Sequence, residues 1–119
     1  MYFFDSHALI ELLKGTGSFR RYFDEPVITS SLSLGEAYYY FLKTGFGAQF
    51  LQLIAGHKIE CVSVEKQDVL RAVRFRQANW KKKLSLSDCA GYTISTTRGL
   101  TYLTSNRKFD GIPNTEIIQ

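Results

Sequence analysis

Short apolar runs alternate along this chain with segments of helical periodicity. The first run, Tyr2 to Phe4, is entirely aromatic and lacks polar alternation, which is typical of a strand covered on both faces of a parallel sheet. Four more runs predict strands at 27–29, 59–62, 100–103 and 116–118. Because the segments between them have helical spacing, the pattern predicts an α/β fold: three α/β/α layers around a five-stranded parallel central sheet.

The predicted helices are marked by apolar residues spaced three and four positions apart. A helix after the first strand ends near Gly15, a short one precedes Pro26, and a third runs from about Leu34 to Gly45. The apolar positions of all six segments are Leu9, Leu12 and Leu13; Phe19, Tyr22 and Phe23; Leu34, Ala37, Tyr38, Phe41 and Leu42; Phe46, Phe50, Leu53 and Ile54; Val69, Ala72 and Val73; Leu86, Cys89, Ala90, Thr93 and Ile94.

Length and composition favour one compact domain over residues 1–119. Hydrophobic residues make up 45% of the 119 residues and aromatic residues 14%, which is enough for a core and unlike a disordered chain. No apolar run is long enough to span a membrane, and Met1 leads directly into a strand rather than into a leader, so we expect a cytoplasmic protein. The net charge of +4 permits a polyanionic partner without demonstrating one.

Two cysteines, Cys61 and Cys89, lie inside apolar segments, so we expect buried free thiols. Their spacing alone leaves a disulfide open. A zinc site would need His7 and His57 as further ligands, and neither is near a cysteine in the sequence, so zinc is disfavoured.

Three acids, Asp5, Glu36 and Asp88, lie at or near predicted helix starts. Each has a structural interpretation: Asp5 can cap the first helix, and Ser33 with Glu36 and Ser85 with Asp88 fit the capping box. Two of the acids also follow predicted strands, so they can converge at one edge of the sheet. Oxygen ligands without a histidine pair suit Mg²⁺ or Mn²⁺, which can polarise a phosphodiester.

These motifs resemble the PIN domain, a small metal-dependent nuclease fold that includes many toxins of prokaryotic toxin–antitoxin pairs. The resemblance spans nearly the whole chain. Asp5-Ser6 matches the Asp-Ser/Thr that follows the first strand in this family. Glu36 matches the Glu that lies early in a helix after the second strand, and Asp88 matches the Asp that opens a later helix. The closing Thr-x-Asp-x-x-Phe is matched by Thr104 to Phe109, with Asn106 at the acidic position.

The resemblance implies a site and a reaction. Asp5 and Asp88 would bind Mg²⁺ or Mn²⁺ directly, Glu36 would bind it through water or assist deprotonation, and Asn106 would orient a water or the phosphate. Ser6 or Thr104 would hydrogen-bond to the carboxylates. The implied substrate is single-stranded or looped RNA, hydrolysed by an endoribonuclease, and the implied partners are a small antitoxin and a second copy in a homodimer.

Asn106 departs from the family pattern because it removes a negative charge from the site. Metal affinity should fall, which leaves open a weak nuclease or a catalytically inactive module that binds RNA or a partner. Asp110 would compensate only if its loop folded back, and its place before Gly111 is more typical of a turn. A small phosphohydrolase is disfavoured, because Asp5 has no second acid two residues on.

The basic residues Lys81, Lys82, Lys83, Arg107 and Lys108 are candidate contacts to the RNA backbone. For the lysine run, a solvated helix end that complements the helix dipole is an equally good interpretation.

Among the aromatic and histidine side chains, Tyr38 is expected in the core. An exposed Tyr39 or Tyr40 favours a dimer surface over base stacking. His7 is expected to be a helix-start residue with ordinary packing.

Overall fold

The computed structural model describes residues 1–118 as strands and helices that alternate along the chain. The five strands are β1 (Tyr2–Phe4), β2 (Val27–Ser30), β3 (Ile59–Val62), β4 (Thr101–Thr104) and β5 (Thr115–Ile117). The five α-helices are α1 (Ser6–Lys14), α2 (Ser31–Lys43), α3 (Gly47–Gly56), α4 (Lys66–Ala78) and α5 (Leu86–Thr97). Short 3₁₀ helices cover Gly17–Tyr22, Trp80–Lys82 and Arg107–Phe109.

The strands form one parallel sheet in the order β3-β2-β1-β4-β5. β1 lies at the centre, where Phe3 pairs with Ile28 of β2 on one side and with Tyr102 of β4 on the other. The chain winds outward from β1 in both directions, so the end of β1 is the switch point at which doubly wound sheets bind ligands. Asp5 follows β1 directly.

Helices cover both faces of the sheet and enclose two separate cores. Phe3 and Tyr102 point to one face, and Phe4 and Leu103 point to the other. Helices α4 and α5 cover the first core, and α1, α2 and α3 cover the second. The sequence prediction of a three-layer α/β/α fold around a five-stranded parallel sheet is therefore confirmed.

Helix α5 packs unusually close to the sheet at Gly91. A Cβ atom there would lie 3.0 Å from Cε1 of Phe3 and 3.1 Å from Cε1 of Tyr102. Because both rings are fully buried, they have little room to move. Asp88 lies three residues before Gly91, so the same close approach brings the start of α5 to the end of β1.

One helix begins earlier than the sequence predicted. Helix α2 starts at Ser31, not at about Leu34, and the Ser30 hydroxyl caps it by accepting a hydrogen bond from the Ser33 amide at 3.0 Å. Glu36 therefore lies in the second turn, and the predicted capping box of Ser33 with Glu36 is wrong. The predicted box of Ser85 with Asp88 is confirmed.

Several apolar residues that helical spacing assigned to the core are exposed. Val69 and Val73 are 38% and 49% exposed on α4, whereas Ala72 between them is buried. The prediction that both thiols are buried is wrong for Cys61, which is exposed on the edge strand β3, and right for Cys89; both are free. Among residues 1–118, no helix has the length and apolar character that a membrane crossing requires.

Candidate functional site

Asp5 is held rigidly at the end of the central strand. Its side chain is 3% exposed, and Oδ1 accepts a hydrogen bond from the Ala8 amide at 2.7 Å, so Asp5 caps α1. Oδ2 accepts hydrogen bonds from the hydroxyl of Thr104 and, at 3.4 Å, from the hydroxyl of Tyr102. Capping therefore uses one carboxylate oxygen, and the other is fixed by β4.

Asp88 comes to the same place from the start of α5. Ser85 and Asp88 form a capping box, in which Asp88 Oδ2 accepts from the Ser85 amide at 3.3 Å and Ser85 Oγ accepts from the Asp88 amide at 3.1 Å. Asp88 is half-buried. The helical cap thus orients the carboxylate without burying it, so its oxygens remain accessible to a ligand.

His7 also belongs to this group, although the sequence predicted only ordinary packing for it. Its Nδ1 lies 3.5 Å from Asp5 Oδ2. The hydrogen bond with Asp5 raises the pKa of His7 above its ordinary value; burial opposes the shift, and the charges of Asp5, Asp88 and Glu36 add to it. One donor atom each from Asp5, His7 and Asp88 lies within 4.8 Å of the others. His7 lies two residues after Asp5, in the first turn of a helix, and this position is the feature of the sequence that could have identified it as part of the site.

Glu36 contacts this group through a serine that the sequence analysis did not single out. The carboxylate is exposed on α2, and its Oε2 accepts a hydrogen bond from Ser87 Oγ at 2.9 Å. Ser87 is the neighbour of Asp88 on α5. Glu36 is therefore joined to the site, but it is not one of the three residues whose donor atoms cluster within 4.8 Å.

Asn106 is connected to Asp5 through a shared hydroxyl. The Asn106 amide donates to Thr104 Oγ1 at 2.9 Å, and the same hydroxyl donates to Asp5. The Asn106 side-chain oxygen accepts from the Lys108 amide at 3.0 Å and caps the short 3₁₀ helix. Asp110 follows that helix as an exposed turn residue, and its carbonyl accepts a hydrogen bond from Lys82 Nζ at 2.8 Å.

A cavity of about 480 Å³, which we call the site cavity, opens beside the acids. Glu36, Asp88 and Asn106 line it together with three cationic side chains, Arg76, Lys83 and Lys108. The sequence analysis missed Arg76, whose Nε donates to the Leu84 carbonyl at 3.0 Å. A cavity with carboxylates and cations in its walls suits a phosphate bridged by a cation.

The predicted basic residues divide between this cavity and its surroundings. Lys83 and Lys108 line it, and Lys108 Nζ donates to the Lys83 carbonyl at 3.2 Å. The other three lie outside the cavity wall. Lys82 Nζ donates to the Asp110 carbonyl and so holds that loop. Lys81 Nζ lies 5.7 Å from the centre of the Trp80 ring, and Arg107 is exposed.

The donor set fits a hard divalent cation. Two carboxylates lie beside one imidazole, and no thiol is included in the group, which suits Mg²⁺ or Mn²⁺ better than a thiolate-bound metal. The buried carboxylate of Asp5 is already oriented by two hydroxyls, as outer-shell groups orient metal ligands.

No family model matches the chain, and no curated protein matches it in sequence. Solved structures do match it over nearly its whole length. A toxin–antitoxin complex from Klebsiella pneumoniae has a TM-score of 0.79 at 21% identity, covering 98% of this chain and 96% of that chain. VapC20 from Mycobacterium tuberculosis, a toxin that cleaves the sarcin–ricin loop, has a TM-score of 0.82 at 14% identity, with full coverage of both chains (100%).

VapBC2 from Rickettsia felis, in a structure bound to a DNA fragment from its promoter, has a TM-score of 0.76 at 18% identity and covers 99% of this chain and 98% of that chain. Likeness at such low identity is a likeness of fold. These structures are PIN-domain toxins, and the resemblance read from the motifs is therefore confirmed at the level of architecture. This chain has the PIN-domain fold.

Proposed function

We propose that this protein is an endoribonuclease dependent on Mg²⁺ or Mn²⁺ and the toxin of a toxin–antitoxin pair. The observation that carries the proposal is the cluster of Asp5, His7 and Asp88, whose donor atoms lie within 4.8 Å of one another at the switch point of the sheet. The cationic residues beside them support a phosphodiester substrate.

Each residue has a task in the proposed reaction. Asp5 and Asp88 would hold the cation, which would polarise the phosphodiester and lower the pKa of a bound water. Glu36, oriented by Ser87, accepts a proton from the attacking water or binds the cation through water. Asn106 orients a water or the phosphate, and Thr104 holds Asp5 in place. Arg76, Lys83 and Lys108 bind the phosphates of the RNA.

The proposed partners are a small antitoxin and a second copy of the chain. The antitoxin is supported by the structural neighbours from Klebsiella pneumoniae and Rickettsia felis, which were solved as toxin–antitoxin structures. The homodimer is supported by large apolar side chains exposed on α2, on α3 and in the turn between them, among them Leu42 and Phe46, which are 52% and 53% exposed.

Cleavage of a structured RNA with Mg²⁺ or Mn²⁺, or with excess chelator, tests the proposal. We expect Asp5→Asn and Asp88→Asn to lower cleavage about a hundredfold or more, because each removes one of two charged ligands. Asp24→Asn, the same substitution at an exposed residue on the opposite edge of the sheet, is the matched control and should cleave normally. Robust cleavage in chelator, or by both site variants, would overturn the proposal.

The alternative is a module with this fold that binds RNA or a partner without cutting. Asn106 favours it, because the amide carries no charge and its oxygen is already bonded to the Lys108 amide. Asn106→Asp separates the two functions. If the site is otherwise competent, cleavage rises in the variant; no gain, together with no uptake of metal in calorimetry, would identify the binding module.

A further inference from the structure

The site cavity lies between two other cavities with which it shares wall residues, and we call the three together the groove. On one side the site cavity shares Arg76, Lys83 and Leu84 with a cavity of about 450 Å³ that extends to Trp80. On the other side it shares Ser6, His7 and Glu36 with a cavity of about 500 Å³ that extends to Tyr39. The two outer cavities share no wall residue with each other, so the acidic site lies between them.

Trp80 ends the groove on the α4 side. The residue is 67% exposed, although tryptophan is usually buried to a large extent. It lies in the 3₁₀ turn Trp80–Lys82, and Lys81 Nζ lies 5.7 Å from the ring centre. The groove therefore ends at an exposed aromatic ring with a cation beside it.

Tyr39 ends the groove on the α2 side in the same way. The residue is 63% exposed, and Lys43, one turn further along α2, places Nζ 5.2 Å from the ring centre. Both residues line the third cavity. The two ends of the groove thus repeat one chemistry, an aromatic face with an adjacent lysine, although they come from different helices and different sides of the sheet.

We propose that this groove binds single-stranded RNA, with one base stacked on Trp80 and another on Tyr39, on opposite sides of the bond to be cut. The proposal rests on the proposed function and adds how the substrate is recognised. Aromatic faces separated by cations are the pattern with which proteins bind single strands, because every base has a flat face and every nucleotide a negative phosphate. Duplex RNA does not fit the pattern, since its bases stay stacked on one another.

The charges favour this occupant. Arg76, Lys83 and Lys108 lie between the two rings, and Lys81 and Lys43 lie beside them. An RNA strand of a few nucleotides carries a matching row of negative charges. The sequence analysis favours a dimer surface at an exposed Tyr39, and that prediction stays the rival of this proposal for the α2 end of the groove.

Trp80 is the only tryptophan in the chain, so its fluorescence reports directly on this end of the groove. We would titrate the full chain, in chelator to prevent cleavage, with a single-stranded oligoadenylate of about twelve nucleotides. Stacking predicts saturable quenching of the emission. An RNA duplex of the same length should quench it at least about tenfold more weakly at equal concentration, because its bases are not free to stack.

Variants at Tyr39, at the other end of the groove, test whether one RNA strand contacts both Tyr39 and Trp80. Tyr39→Ala should weaken the affinity read from Trp80 emission by about tenfold, with the same quenching at saturation, and Tyr39→Phe should restore most of it because the ring is retained. Phe23→Ala is the matched control: Phe23 is 55% exposed but lines the cavity at the opposite edge of the sheet, so its loss should leave the affinity unchanged.

Equal quenching by duplex and single strand, no quenching at all, or no effect of Tyr39→Ala would overturn the proposal. So would a blue shift of the emission that grows with protein concentration in the absence of RNA, since a second copy would then cover Trp80. The experiment does not depend on cleavage. Quenching without cleavage would support RNA binding in the groove and reject the nuclease. Cleavage without quenching would support the nuclease and reject RNA binding in the groove.

Discussion

One cavity lies at the carboxyl ends of the strands, which we call the carboxyl edge of the sheet, and another lies at their amino ends, the amino edge. The two cavities differ in chemistry more than in size. The site cavity at the carboxyl edge has a volume of about 480 Å³, and the cavity at the amino edge, beside Met1 and Pro26, has a volume of about 590 Å³. The amino edge also has acids in its wall, including Asp24 and Glu60. Both of these are exposed, whereas Asp5 is buried.

The difference comes from the direction of the chain. In a parallel sheet with right-handed crossovers, helices begin at the carboxyl edge, so their free amide groups and positive dipole ends gather there. A carboxylate can be buried at that edge because amides satisfy it, as the Ala8 amide satisfies Asp5. Cavity size therefore does not identify the site, and an anchored, buried charge does.

The largest effect on stability is expected from Asp5→Ala compared with Asp24→Ala. Asp5→Ala removes the cap of α1 and leaves the Thr104 hydroxyl without its acceptor, which should lower the free energy of unfolding by about 2–3 kcal/mol. Asp24→Ala should change it by less than about 0.5 kcal/mol, since Asp24 is exposed. Urea denaturation followed by circular dichroism measures both values. Equal losses of unfolding free energy in the two variants would mean that the carboxyl edge does not anchor its acid more firmly than the amino edge does.

The second effect concerns metal affinity. Asn106→Asp adds a charge to the wall of the site cavity and should tighten Mn²⁺ binding, measured by titration calorimetry, by about tenfold, because ligand charge sets the affinity of such sites. Gln67→Glu adds the same charge at an exposed position on α4 outside that wall and is the control. An equal gain in both variants would attribute the effect to net charge rather than to the site.

The smallest effect concerns Lys83, whose backbone is left-handed, with φ 54° and ψ 43°. A side chain with a Cβ is strained in this conformation and glycine is not, so Lys83→Gly should be more stable to urea than Lys83→Ala by about 1 kcal/mol. Both variants lose the cation and should weaken binding of single-stranded RNA equally. If Lys83→Gly bound RNA as well as the unaltered chain, Lys83 would have no role in the groove.

Much of the fold was predictable because its determinants are local. Aromatic and β-branched runs identified all five strands to within about a residue or two, and glycines and prolines identified the breaks between helices. The caps at Asp5 and Ser85 were also predictable, since a cap depends on residues three positions apart. Helix α2 was misplaced because Ser30 and Ser33 are both good caps, and the choice between them depends on where β2 ends.

The candidate site was only partly predictable. Asp5, Glu36, Asp88 and Asn106 were identified from short motifs, and their roles stay predictions. Arg76 and Ser87 could not have been found in this way, because their part in the site comes from contacts with distant segments: Ser87 reaches Glu36 across 51 positions of the chain. The exposure of Trp80 and Tyr39 was not predictable either, because it depends on which face of the neighbouring helices packs against the sheet.

The sequence by itself determined the order of strands and helices, the caps and the kinds of side chain available for chemistry, because these depend on neighbours along the chain. The tertiary structure alone decided that β1 lies between β2 and β4, that Gly91 lets α5 approach the sheet, and that His7 faces Asp5. Strand order and side-chain contacts between distant segments are set by packing of the whole core, and no local pattern records them.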